Sequence, residues 1–355
     1  MTIDDLLKTA VQRKASDLHL TIGLPPQLRI DGFLTPLSLE PLTEETTQVL
    51  AYQMLESRQT AQFEEKRELD TSYSIKGLSR FRVNLYRQRG SVAAAIRVVP
   101  FEIPSLETLG LPVVLKEFAQ RPSGLFIVSG PTGCGKSTTL AAMVEYINEN
   151  RNCHIISIED PIEYLHRHKK ATINQRELGV DTLSFQEALR HVVREDPNVI
   201  LIGEMRDLET MTAALTLAET GHLILTTLHT SDCVHAIHRI IDVFPPYQQS
   251  QIRVQLSLVL IGIMVQQLVP KATGPGRVPV CEVMSAVPSV GNLIRENQLH
   301  QLRSMLETGR RYGMCTMNQA LAEAYQKGWV TWEEIEKRTT DLEDLLDTAK
   351  PQLKH

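Results

Sequence analysis

Residues 130–138 read Gly130-Pro131-Thr132-Gly133-Cys134-Gly135-Lys136-Ser137-Thr138, directly after an apolar strand-like run, Leu125 to Ser129, and directly before a helix-like one that begins at Lys136. Glycines at these spacings let the backbone wrap around phosphate oxygens, and the helix that follows offers unpaired N–H groups at its positive end. In that frame Lys136 reaches the terminal phosphates of ATP and Ser137 ligates Mg²⁺. A glycine-rich turn with an incidental lysine would lack the strand–loop–helix context. Cys134 occupies a free position of the motif, where the helix terminus is expected to lower its thiol pKa and make it reactive.

Downstream, apolar strand runs alternate with helical patterns: Ile155 to Ile158, a helix from Phe185, Val199 to Ile202, a helix from Leu208, and Leu223 to Thr227. Such alternation implies a parallel, helix-covered α/β sheet. Ser184 with Glu187 reads as a capping box for the helix that ends near Glu195. In sheets of this kind ligands bind at the carboxyl ends of the strands. Glu204 ends the strand Val199 to Ile202 and is the candidate metal-side carboxylate, with Gly203 where the usual aspartate stands. The cluster Glu159-Asp160-Pro161-Ile162-Glu163 follows another strand, and a hydrolase needs a water-activating base, although such a cluster alone also reads as a solvated turn. His229 ends a third strand, suited to sensing the γ-phosphate or orienting a carboxylate. His222 opens that strand; for either histidine a structural role is the plain alternative.

Upstream, residues 1 to about 100 form an α+β pattern with a short helix (Ile3 to Lys14), strand pieces (Leu18 to Ile22, Gln27 to Ile30), a helix near Glu44 to Gln59 and two long alternating strands. Period-2 alternation puts Phe81, Val83 and Leu85 on one face and Arg80, Arg82 and Asn84 on the other. Arg80 and Arg82 are suited to act on a neighbouring subunit's ATP as arginine fingers do, or to form a solvated basic face or a stripe that binds a nucleic-acid backbone. Prolines at 100, 104 and 112 with Gly110 mark a linker over 100–112. After Pro245-Pro246 the chain reads as mainly helical, ending in an acidic, loose tail from about Thr339.

The 355 residues suffice for two domains, and a net charge of -5 without a basic arm argues against direct nucleic-acid binding. The N-terminus does not read as a secretory signal. The longest apolar run, Leu256 to Val265, falls short of the ~18 residues of a spanning helix, so membrane association would go through a partner. Five dispersed cysteines give neither a disulfide framework nor a zinc site. Cys233, His235 and His238 fall within two helical turns, but no fourth metal ligand is evident.

Taken together the motifs resemble the secretion and pilus ATPase superfamily, and most closely the PilT family of type IV pilus retraction motors. The resemblance spans nearly the whole chain: Ala15-Ser16-Asp17-Leu18-His19-Leu20, Arg80-Phe81-Arg82-Val83-Asn84, the phosphate loop, an Asp box Ile158 to Glu163, Asn174 to Glu177, Arg194 to Pro197, Gly203 to Asp207, and a His box from Ala218 through His222 to Thr230. It implies a PAS-like domain (1–99), a RecA-like P-loop ATPase domain (113–338) and a homohexameric ring at the cytoplasmic face of the inner membrane. ATP and Mg²⁺ would lie between domains and subunits. Glu163 is implied as general base, Glu204 as the Mg²⁺-side carboxylate, His222 and His229 as the His box, and Arg80 or Arg82 as trans arginines. The implied partner is the pilus platform protein, and through it pilin; the implied output is retraction and twitching motility. Assembly-type relatives carry a longer N-terminal region and a tetracysteine element, neither present here. Two positions depart from the family pattern: Gly291 stands for arginine in an element linked to retraction, and His238 for aspartate. A related secretion or accessory pilus ATPase, a RecA-type nucleic-acid translocase and a scaffold without turnover are the alternatives.

Overall fold

The structure, a computed structural model, describes residues 2–30, 32–99, 102–339 and 341–349. Two compact units emerge, Met1–Glu102 with Glu163–Leu165, and Ile103–Ile162 with His166–His355.

The first unit runs α1 (Ile3–Gln12), β1 (Asp17–Leu20), β2 (Gln27–Ile30), β3 (Phe33–Pro36), α2 (Glu44–Tyr52), α3 (Ser57–Lys66), β4 (Glu68–Ile75), β5 (Ser79–Gln88) and β6 (Ser91–Val99). Its strands form an antiparallel sheet in the order β3-β2-β1-β6-β5-β4. Phe81, Val83 and Leu85 of β5 are wholly buried with Leu7 of α1 and Phe63 of α3, as strict alternation requires. The helix expected over residues 44–59 is two helices.

The second unit runs α4 (Val114–Gln120), β7 (Gly124–Ser129), α5 (Lys136–Asn150), β8 (His154–Glu159), β9 (Thr172–Glu177), α6 (Phe185–Val192), β10 (Val199–Ile202), α7 (Leu208–Glu219), β11 (Leu223–Thr227), α8 (Cys233–Asp242), α9 (Pro246–Val259), β12 (Leu260–Pro270), β13 (Arg277–Ser285), α10 (Pro288–Arg295), α11 (Leu302–Thr308), α12 (Met317–Gln326), α13 (Trp332–Glu336) and α14 (Leu342–Ala349). The sheet order is β13-β12-β7-β11-β10-β8-β9, parallel except for β13. Both faces are covered. Leu125 and Ile127 of β7 enter one core while Phe126 and Val128 enter the other, which is why these strands read as unbroken apolar runs.

The mainly helical reading after Pro246 is corrected here: Leu260–Pro270 and Arg277–Ser285 are paired strands. The apolar run Leu256 to Val265 straddles the end of α9 and the start of β12, and a short apolar run carries no period to separate the two states. The tail expected to be loose is likewise ordered as α14, with Leu345 and Ala349 buried against the α12 region. Residues 350–355, the remainder of that tail, lie outside the described residues, as do Pro100 and Phe101 of the expected linker.

Candidate active site

Parallel pairing fixes the geometry of the site. Register places Ile158 beside Ile202, Ile202 beside Thr226, and Thr227 beside Val128, so the segments following β8, β10, β11 and β7 leave the sheet at one edge. Those segments carry Asp160, Glu204, His229 and the phosphate loop.

The loop is shaped by its glycines. Gly133 and Gly135 have φ of 79° and 90°, the left-handed region that glycine enters without steric cost. Gly135 is the N-cap of α5, and no side chain caps that helix. By contrast Ser184, Asp207 and Asp232 accept from the first turns of α6, α7 and α8. The orphan donors of α5, beside an exposed Thr132 and Gly133, therefore fit a phosphate. Lys136 is buried and its Nζ donates to the carbonyls of Gly130 (2.8 Å) and Pro131 (3.1 Å). Ser137 and Thr138 open the first turn of α5, half-buried.

Glu204 faces the same edge. Its Oε1 lies 2.8 Å from Arg206 Nε and its Oε2 3.4 Å from His229 Nε2. Burial pushes the Glu204 carboxyl up, but Arg206 and His229 outweigh it and hold it below the ordinary value. His229 Nδ1 in turn lies 3.4 Å from Lys136 Nζ, so the imidazole links the carboxylate to the phosphate-loop lysine. Gly203 is closely approached: a Cβ there would lie 3.3 Å from the Ile158 carbonyl oxygen, so a side chain would have to push that strand end aside by a few tenths of an ångström. Thr230 N donates to Ser129 Oγ at 2.8 Å, tying the His229 segment to the end of β7.

Around the Asp box, the buried Glu177 accepts from Ile162 N (3.1 Å), and Gln175 accepts from His166 N (2.9 Å). Glu163 itself is exposed and belongs to the first unit. Just beyond it, Asn148 of α5 donates to Arg167 O (2.7 Å) and accepts from Lys169 N (3.0 Å). Glu145, one turn earlier, meets His166 Nδ1 at 3.0 Å and Lys169 Nζ at 2.6 Å. Burial raises the Glu145 carboxyl, yet His166, Lys169 and Asn148 bring it down to about 2. The helix that begins at the phosphate loop thus clamps the segment that follows Glu163. Sequence reading missed Glu145 and Asn148, which carry no motif of their own, and gave Gln175 no role although it lies in the stretch Asn174 to Glu177; helical spacing of Glu145 and Asn148 on α5 was the available signal.

Two expectations are corrected. Cys134 is not a reactive thiolate: its side chain is buried, and burial pushes the thiol up, against the weaker pull of Lys136 and backbone donors. Within one chain His222 is not at the phosphate loop. It precedes β11, at the opposite sheet edge from His229, with roughly 17 Å of strand between. There its Nδ1 lies 2.9 Å from the Leu217 carbonyl oxygen. Arg80 and Arg82 lie on the first unit's sheet, Arg80 donating to Ser72 Oγ at 2.8 Å and Arg82 exposed. Cys233 is turned into the core and His235 to the surface beside Asp232, so one helix points them in different directions.

A family model described as type II/IV secretion system protein matches residues 1–354. The chain is 44% identical to the type IV pilus retraction ATPase PilT of Pseudomonas aeruginosa, over 95% of this chain and 98% of that one. It is 42% identical to the type IV pilus ATPase PilU of the same organism, over 97% and 90% of the two chains. A crystal structure of the pilus retraction motor PilT with bound ADP superposes with a TM-score of 0.92 at 48% identity, covering 98% of this chain and 99% of that one.

Proposed function

The chain belongs to the type II/IV secretion system protein family and, within it, to the PilT retraction ATPases, and on that premise we propose that it runs as a Mg²⁺-dependent homohexamer that pulls pilin back through an inner-membrane platform protein. The observation that carries this reading is the uncapped N-terminus of α5 on the same sheet edge as Glu204 and His229.

In this reading the phosphate loop and Lys136 bind the β- and γ-phosphates, and Ser137 and Glu204 would hold Mg²⁺, which would offset charge on the leaving oxygens. Glu163 takes a proton from the attacking water. His229 holds Glu204 and lies close enough to Lys136 to register its withdrawal toward nucleotide. Arg80, half-buried, and Arg82, exposed, both on the sheet of the first unit, supply charge to a neighbouring subunit's nucleotide across a ring at the inner face of the inner membrane. Among the described residues no helix is long and apolar enough to cross a membrane, in keeping with attachment through a partner. An accessory pilus ATPase is the second reading, favoured by Gly291: a Cβ there would lie 3.1 Å from Ser257 O, so α10 approaches α9 where the family's arginine would need room.

Phosphate release and light scattering test this directly. The expected result is release that EDTA abolishes, from particles six times the mass of the chain; EDTA-insensitive release or a monomer at all nucleotide concentrations would overturn it.

A further inference from the structure

Gln266, in the middle of β12, is 2% exposed, and its amide is used at both ends. Its Nε2 donates to the main-chain oxygen of Cys134 at 2.6 Å, and its Oε1 accepts from Thr139 Oγ1, itself buried on α5, at 2.7 Å. The strand is pressed against the loop elsewhere too. A Cβ on Gly135 would lie 2.9 Å from Gln266 Nε2, and one on Gly130 would lie 2.4 Å from Gln266 O. At Gly130 the β12 backbone leaves no room for a side chain, and at Gly135 the Gln266 amide would have to move aside for one.

The bond to Cys134 has a geometric consequence. In a planar trans peptide the C=O and N–H point in opposite directions. A Cys134 carbonyl held toward β12 leaves the Gly135 N–H aimed the other way, into the hollow of the loop. The Cys134 carbonyl settles which end of the amide faces it, because it can only accept and so takes Nε2–H, leaving Oε1 for the Thr139 hydroxyl, which can donate.

We infer that Gln266 is a positioning residue for nucleotide binding: gripping the Cys134 carbonyl fixes the Cys134–Gly135 peptide so that the phosphate nest is formed before nucleotide arrives. The inference rests on the P-loop reading above. A β-phosphate is present in ADP, ATP and the transition state alike, so the lost interaction is one of uniform binding.

Calorimetric titration with ADP, alongside steady-state ATP hydrolysis, tests it. Gln266→Met keeps the length of the side chain and removes both hydrogen bonds. It is expected to raise the Kd for ADP and the KM for ATP by about tenfold, with kcat at saturating ATP changed by less than about twofold. Thr139→Val, which takes the donor from Oε1 and leaves the amide held at one end only, gives a smaller rise, and Thr139→Ser keeps wild-type binding. Wild-type ADP affinity in a folded Gln266→Met protein overturns the inference. Should that variant not fold, equal affinities for Thr139→Val and Thr139→Ser overturn it instead. Absence of ADP binding by the wild type would count against the nucleotide reading itself.

Discussion

Lys136 folds its ammonium back on the Gly130 and Pro131 carbonyls, so entering phosphates replace two neutral acceptors with charged ones. Its role and that of Glu163 separate cleanly by substitution. Lys136→Ala is expected to weaken ATP binding on the order of 10- to 100-fold. Glu163→Gln leaves nucleotide affinity within a few-fold of wild type and lowers kcat by roughly 10²- to 10⁴-fold, the span of general-base catalysis. Equilibrium binding and single-turnover hydrolysis distinguish the two, and normal turnover in Glu163→Gln moves the base role to Glu204. At this scale the phosphate loop and Glu204 were legible because motif spacing and strand ends specify position along the chain. Sidedness was not: Cys134 sits in an electropositive loop yet turns inward, and His222 begins the strand that His229 follows, which only strand direction separates.

The α5 helix connects the phosphate loop at its start with the Glu145–His166–Lys169 cluster near its end. A carboxyl held at about 2, against an ordinary 4.5, contributes stability that is complete above about pH 4.5 and is lost as pH falls toward 2. Wild type should therefore melt a few degrees above Glu145→Gln at neutral pH, with the gap closing below pH 4.5. A gap independent of pH would show that the carboxylate charge does not hold the clamp. Elements with a clear period or a cap were readable in sequence: β5 by alternation, and α6 by Ser184, although Glu187 pairs with Arg190 (3.2 Å) rather than closing the capping box. β12 was not, since its inner residues are buried on both faces and its apolar run continues from α9. That loss matters because β12 carries Gln266.

For the molecule as a whole, one chain supplies an ATP-binding edge in one unit and the Arg80–Arg82 face in another, and in the proposed ring neighbouring chains bring these together. The fold class was accessible from β-α alternation alone, whereas the mechanical output came from resemblance and now stands on a match over 95% of the chain. Whether this chain powers pilus retraction is decided by deleting its gene in the organism that encodes it and imaging surface pili with and without a plasmid copy. A retraction motor leaves long, accumulated pili that no longer shorten, restored by the wild-type chain and not by Lys136→Ala; bald cells, or pili that retract at the normal rate, would show that it is not one.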